Sequence, residues 1–228
     1  MTRVISGRFR QPVFLALRTR LSRSSHSWFT WLGLIGIAIT VGVTAWSGQV
    51  MAIPLACLFP ALWALASTRL MAAMVSMGYF LAASRDLPHG ASTYLETGLI
   101  ESVGLWFAAS ASFVVVHAVI WASKPGWKRM ARYGVATILM AVPPLGIAGW
   151  AGPITAAGVI FPGWGWFGLA STATGLLAMT TKSWPVAALA LGGAWAWSAA
   201  TWAPPRMPDG LVGINTSFDY SDKAKPNG

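Results

Sequence analysis

Long apolar runs separated by short polar gaps set the pattern of this chain. The first run covers Trp28 to Trp46, the second Val50 to Ser67, the third Leu70 to Ala83 and the fourth Gly98 to Ala122. From Tyr133 to Thr181 no acid or base interrupts the sequence apart from the tyrosine itself. That stretch exceeds one helix, and Pro143-Pro144 and Pro162-Gly163 divide it. The division predicts a fifth helix near Arg132 to Val142, an irregular middle, and a sixth helix near Trp166 to Thr181. Trp184 to Trp202 forms the seventh run. A helix rises ~1.5 Å per residue, so about 17 to 25 mainly apolar residues cross a hydrocarbon layer ~30 Å thick. The expected architecture is all-α: a polytopic membrane protein of about seven transmembrane helices.

Composition supports that reading, with 55% hydrophobic and only 10% charged residues in 228 and a mean hydropathy of +0.58. Charge adds an orientation. Arg3, Arg8, Arg10, Arg18, Arg20 and Arg23 precede the first run without one acid among them. Arg69 follows the second run, Lys124, Lys128, Arg129 and Arg132 follow the fourth, and Lys182 follows the sixth. Seven spans with an inside amino terminus put all of these on the cytoplasmic side and every one of the six acids outside. The carboxyl terminus is then external. The net charge of +10 and pI of 10.7 would suit a nucleic-acid binder, but basic residues confined to the ends of apolar runs mark cytoplasmic loops, and direct nucleic-acid binding is not expected.

The chain therefore divides into a basic cytoplasmic tail at 1–27, a membrane domain at 28–202 and an external tail at 203–228. The tail lacks a small-residue cleavage site before further spans, so it reads as a retained orientation signal. Leu211 to Phe218 has the branched and aromatic content of a strand, and one short strand makes no domain. The chain looks as though it stops where an external soluble domain begins, as a truncated product or a fragment would. Cys57, the sole cysteine, has no disulfide partner within the chain and no Cys/His grouping with metal-ligand spacing, so it reads as a small core hydrophobe.

Two segments carry a resemblance. Ala82-Ala83-Ser84-Arg85-Asp86-Leu87-Pro88-His89-Gly90 and Gly152-Pro153-Ile154-Thr155-Ala156-Ala157-Gly158-Val159-Ile160-Phe161-Pro162-Gly163-Trp164-Gly165-Trp166 resemble the membrane part of the conjugal-transfer protein TraB family of plasmid-bearing bacteria. That family is in turn similar to apolipoprotein N-acyltransferase, and the resemblance runs from the first span to Gly213-Ile214-Asn215-Thr216. It implies a bacterial inner-membrane location and a periplasmic carbon-nitrogen hydrolase domain after the helices. It also implies a Glu, a Lys and a nucleophilic Cys in that domain. None of the three carries over to this chain, so no catalytic residue, cofactor or metal ligand is assigned, and no acyltransferase or amidase activity is expected of it.

What remains is contact with lipid or with partners. Arg85 and His89 could meet a phospholipid headgroup, since a guanidinium pairs bidentately with phosphate; the alternative is a surface pair of Arg85 with Asp86 or Glu96. Trp164 and Trp166 could line a slot for an acyl chain or simply belong to an interfacial belt. Gly33 with Gly36, and Gly98 with Gly104, have spacings that let helices approach closely. Glu101 and His117 are ionisable groups within the fourth run, but sixteen residues apart, ~24 Å at helical rise, they cannot share one proton site. Three functions follow: an accessory membrane protein of plasmid conjugal transfer that touches the conjugation apparatus, the membrane domain of a truncated lipoprotein N-acyltransferase, or a small transporter.

Overall fold

The structure is a computed structural model that describes residues 12–94, 98–143, 145–148 and 151–203. Every regular element among them is helical: α1 (Pro12–Ala45), a 3-10 segment (Val50–Leu58) running into α2 (Phe59–Leu65), α3 (Arg69–Ala83), α4 (Leu87–Tyr94), α5 (Leu99–Ile120), α6 (Trp127–Ala141), α7 (Leu145–Ala148), a second 3-10 turn (Pro153–Ala156), α8 (Ala157–Ile160), α9 (Gly165–Met179) and α10 (Trp184–Thr201). The strand expected at Leu211 to Phe218 and the rest of the external tail lie outside the described residues.

The apolar runs map onto helices, with four departures. The first helix begins well before Trp28, because nothing between Pro12 and Trp28 breaks it and proline suits a first helical turn. The second run is not one α-helix. Pro54 lacks the N–H that an α-helix needs, and the chain winds as nine 3-10 residues before Pro60 opens α2. At ~2.0 and ~1.5 Å per residue the nine and seven residues reach about 28 Å, so the tighter winding restores length that the residue count lacks. The mixed gap after Ala83 is helical from Leu87, with Pro88 in its first turn. The fifth helix starts at Trp127, so the Lys128 to Arg132 cluster lies on helix.

Packing begins with α1 against α3. Thr68 caps α3 by accepting from the Met71 N–H at 3.1 Å. Met71, Ala72, Val75, Ser76, Tyr79, Phe80 and Ala83 then recur at helical spacing as one buried stripe. Ala38, Val41 and Ala45 of α1 meet it, and Gly42 allows the closest approach: a Cβ there would stand 2.6 Å from the Tyr79 carbonyl oxygen. The reciprocal position is Gly78, where a Cβ would lie 3.0 Å from Ile39. The glycine pairs expected to serve this purpose do not. Gly33, Gly36 and Gly104 have open space around an added Cβ, and Gly98 meets only the flexible side chain of Glu101. Spacing identifies glycines on one face, while the neighbouring helix decides which face is used.

An aromatic core fills the bundle. Phe59 stacks on Tyr79 with centroids 4.4 Å apart, and Phe80 and His117 meet Phe59 edge-on at 5.2 Å each. Trp63 donates its indole N–H to the His117 carbonyl at 3.0 Å, tying α2 to α5.

Candidate functional site

Guanidinium groups seal both ends of the bundle, and this decides the fate of Arg85. Its Nη1 donates to Val43 O and Ala82 O, each at 3.2 Å, and its Nη2 donates to Trp46 O at 3.0 Å. Val43 O and Trp46 O lie at the C-terminal end of α1 and Ala82 O in the last turn of α3, so Arg85, in the turn after α3, serves as a C-terminal cap to both helices. Asp86 lies 3.8 Å from Nη2 and is itself exposed. The surface pair with Asp86 is therefore present, the pair with Glu96 falls outside the described residues, and most of the fork is committed to backbone. His89 is exposed on α4, with its carbonyl accepting from Ser92 and Thr93 at 2.9 Å each.

At the opposite end Arg129 does the same. Its Nη1 donates to Ala64 O and its Nη2 to Ser123 O, both at 2.7 Å, while Arg132 Nη1 reaches Trp121 O at 3.3 Å. Burial lowers the Arg129 guanidinium from its ordinary value without threatening its charge. Thus the end of the first run is bonded to the gap after the third, and the end of the second run to the gap after the fourth.

Trp164 and Trp166 are separated in role. Trp164 joins Phe161, Trp197 and Trp202 around a groove of about 780 Å³ between the α8–α9 turn and the end of α10, where Ser198 also donates to Val159 O at 2.8 Å. Trp166 is 83% exposed and does not line the groove. No hydrogen bond or ring contact among the described residues joins these tryptophans to Arg85 or His89. Glu101 sits exposed in the first turn of α5, where an acid complements the helix dipole.

The feature that sequence reasoning missed lies between α5 and α6. A cavity of about 220 Å³ is lined by His117, Tyr133, Thr137, Met140 and Leu176, and on its far side by Gly152, Pro153 and Ile154. Residues 151–156 lie inside the bundle, winding as a 3-10 turn from Pro153, and side chains reach their carbonyls: the Tyr79 hydroxyl donates to Ala151 O at 3.1 Å and the Cys57 thiol faces Pro153 O at 4.0 Å. Cys57 is accordingly buried, as a core residue would be. His117 had been weighed only against Glu101 on its own helix. The useful signal was across the turn, since His117 lies a few residues before the end of α5 and Tyr133 a few after the start of α6. Among the described residues no group of three or more His, Cys, Asp or Glu side chains could hold a metal.

Fold and sites together define an all-helical protein with two helices, Trp28–Ala45 and Leu99–Ile120, long and apolar enough to cross a membrane. Homologues narrow the class. The chain is 47% identical over 220 residues to the conjugal transfer protein TraB of Agrobacterium fabrum (strain C58 / ATCC 33970), a match covering 92% of this chain and 52% of that protein. It is 49% identical over 178 residues to a probable conjugal transfer protein TraB of Sinorhizobium fredii (strain NBRC 101917 / NGR234), covering 78% of this chain and 46% of the relative. An uncharacterized protein outside the virF region of Agrobacterium tumefaciens (strain 15955) is 42% identical over 113 residues, covering 46% of this chain and 75% of that one. No family model matches, and no solved structure is significantly similar. The chain spans about half the length of the TraB-named relatives it matches. Over most of its length the chain is thus similar, at 47–49% identity, to proteins named for conjugal transfer.

Proposed function

We propose that the chain is a multi-pass inner-membrane component of a TraB-like protein, accessory to plasmid conjugal transfer, with lipid around its helices and proteins of the conjugation apparatus as partners. The identity to the two TraB-named relatives carries this reading. It favours conjugation over the membrane domain of a lipoprotein N-acyltransferase or a small transporter. The membrane part has separate support. Only 22% of the residues in each of the two longest apolar windows are buried, whereas the core helix of a soluble protein would be mostly buried. Ile100, Leu189 and Phe167 are each at least 78% exposed as well.

The guanidinium caps support alternate crossing by the first four of the seven runs. If the runs cross alternately, the first and third gaps share one side, and the second and fourth share the other. Arg85 and Arg129 bond those same pairs of ends. The topology is tested by fusing alkaline phosphatase after Pro205, where it should be active, and after Lys128, where it should not; the reverse result inverts the model. The conjugal role is tested by deleting the gene from a plasmid-bearing donor. Transfer frequency should fall and recover on complementation, and unchanged transfer would refute the role.

A further inference from the structure

His117 Nδ1 lies 2.8 Å from Phe113 O, and a carbonyl can only accept, so Nδ1 carries the proton of this bond. In the neutral ring Nε2 is then a lone-pair acceptor. It makes no hydrogen bond to any described residue, and neither does the Tyr133 hydroxyl; yet neither is among the fully enclosed unpaired polar atoms, which are Trp121 Nε1, Arg129 Nε and Trp195 Nε1. Both side chains are only 2% exposed, and both line the same 220 Å³ cavity, so both polar atoms open into it. The imidazole is fixed on its other faces by Phe59, Phe80 and Trp63 at centroid distances of 5.2, 5.1 and 6.4 Å.

We propose that this cavity is a binding site for a small neutral molecule, about one ring in size, that presents a hydroxyl or N–H to His117 Nε2 and is held from the other side by the Tyr133 hydroxyl. The size follows from comparison: a dry apolar cavity of about 150 Å³ takes up benzene. The polarity follows from the lining, which offers the His117 acceptor, the Tyr133 hydroxyl and a Thr137 hydroxyl already donated to Tyr133 O at 3.1 Å, with no carboxylate, lysine or arginine. An anion or metal ion would find no opposite charge there, and a plain hydrocarbon would leave both polar atoms unpaired. Backbone that departs from the α-helix at membrane depth is tolerated where it lines a cavity, and Gly152 with the start of the 3-10 turn at Pro153 and Ile154 forms that wall.

The test uses the full chain in lipid nanodiscs with ¹⁵N-labelled histidine, of which there are three, and phenol and toluene as probes. Phenol should displace the Nε2 resonance of His117, assigned with His117→Gln, saturably and leave His26 and His89 unmoved. Toluene, which lacks the hydroxyl, should not displace it. Tyr133→Phe keeps the ring and should weaken phenol about tenfold, the equivalent of one hydrogen bond. A cavity that holds water alone would give no saturable shift, and simple partition into the bilayer would move all three histidines alike. Either result overturns the proposal, as does an equal response to toluene in the unsubstituted chain.

Discussion

Replacing Gly42 with alanine tests the closest approach between two helices at any glycine among the described residues. The added Cβ would stand 2.6 Å from Tyr79 O, 2.9 Å from Ala82 Cβ and 3.2 Å from Ala83 N. The first contact is about 0.9 Å inside the ~3.5 Å at which such atoms attract, and the opposing atom is backbone, so no side-chain rotation relieves it. α1 and α3 must separate by most of that distance. A gap of 0.5–1 Å forfeits roughly a quarter to a half of each lost contact, and overpacked sites cost about 1–3 kcal/mol. The separation also stretches the Arg85 cap, which spans the same two helices at their ends. We expect a loss of about 2–3 kcal/mol, after the ~1 kcal/mol that alanine gains over glycine in a helix is returned. Gly36→Ala is the control, since an added Cβ there meets nothing within 4 Å, and it should be neutral or stabilising. The assay is reversible unfolding in mixed micelles, titrated with denaturing detergent and followed by circular dichroism. Equal midpoints for the two variants would refute the contact.

Arg85→Lys should destabilise nearly as much as Arg85→Gln, by about 1–2 kcal/mol, because a lysine cannot span two helix ends as the guanidinium fork does; retention of full stability by lysine in the same unfolding assay would favour a headgroup role instead. Arg129→Ala should cost about 2–3 kcal/mol, since it removes a buried guanidinium that makes two charge-assisted bonds of 2.7 Å, and an unshifted midpoint would contradict this. Tyr79→Phe should cost about 1–2 kcal/mol and raise hydrogen exchange at Gly152 to Thr155, because Ala151 O loses its donor; unchanged exchange would sever that link. Incubated with a lipoprotein and a phospholipid donor, the chain should leave the lipoprotein unmodified by mass spectrometry, and N-acylated product would disprove the expectation.

Much of the helical layout was legible because apolar length and charge spacing are one-dimensional signals. The bounds of α5 and α10 fall within two residues of the runs that predicted them. The 3-10 winding at Val50 to Leu58 was not legible, because Pro54 announces a break without stating which backbone replaces it. Glycine roles were misassigned for a related reason: Gly33 and Gly36 share a face, but that face meets no neighbour, while Gly42 does. Arg85 reads from sequence as a headgroup contact or a surface pair, whereas two of its three backbone acceptors lie 39 and 42 residues away at the end of α1, where no local pattern points. The cavity was hidden because its wall comes from the segment that hydropathy could describe only as irregular.

The arginines and the cavity occupy different levels of the bundle, its ends and its middle. A bundle whose helices end in unpaired carbonyls is vulnerable at both faces, and here each face is closed by one guanidinium bonded to two separate segments. In the middle, residues 151–156 wind as a 3-10 turn from Pro153, met by Tyr79 and Cys57, and the room they leave stands against His117 and Tyr133. A fully helical segment in their place would bring more side chains to the wall and satisfy its own carbonyls. The arrangement instead keeps two polar atoms facing a space, which a protein selected only for stability would close with one larger apolar residue at Gly152 or Ile154.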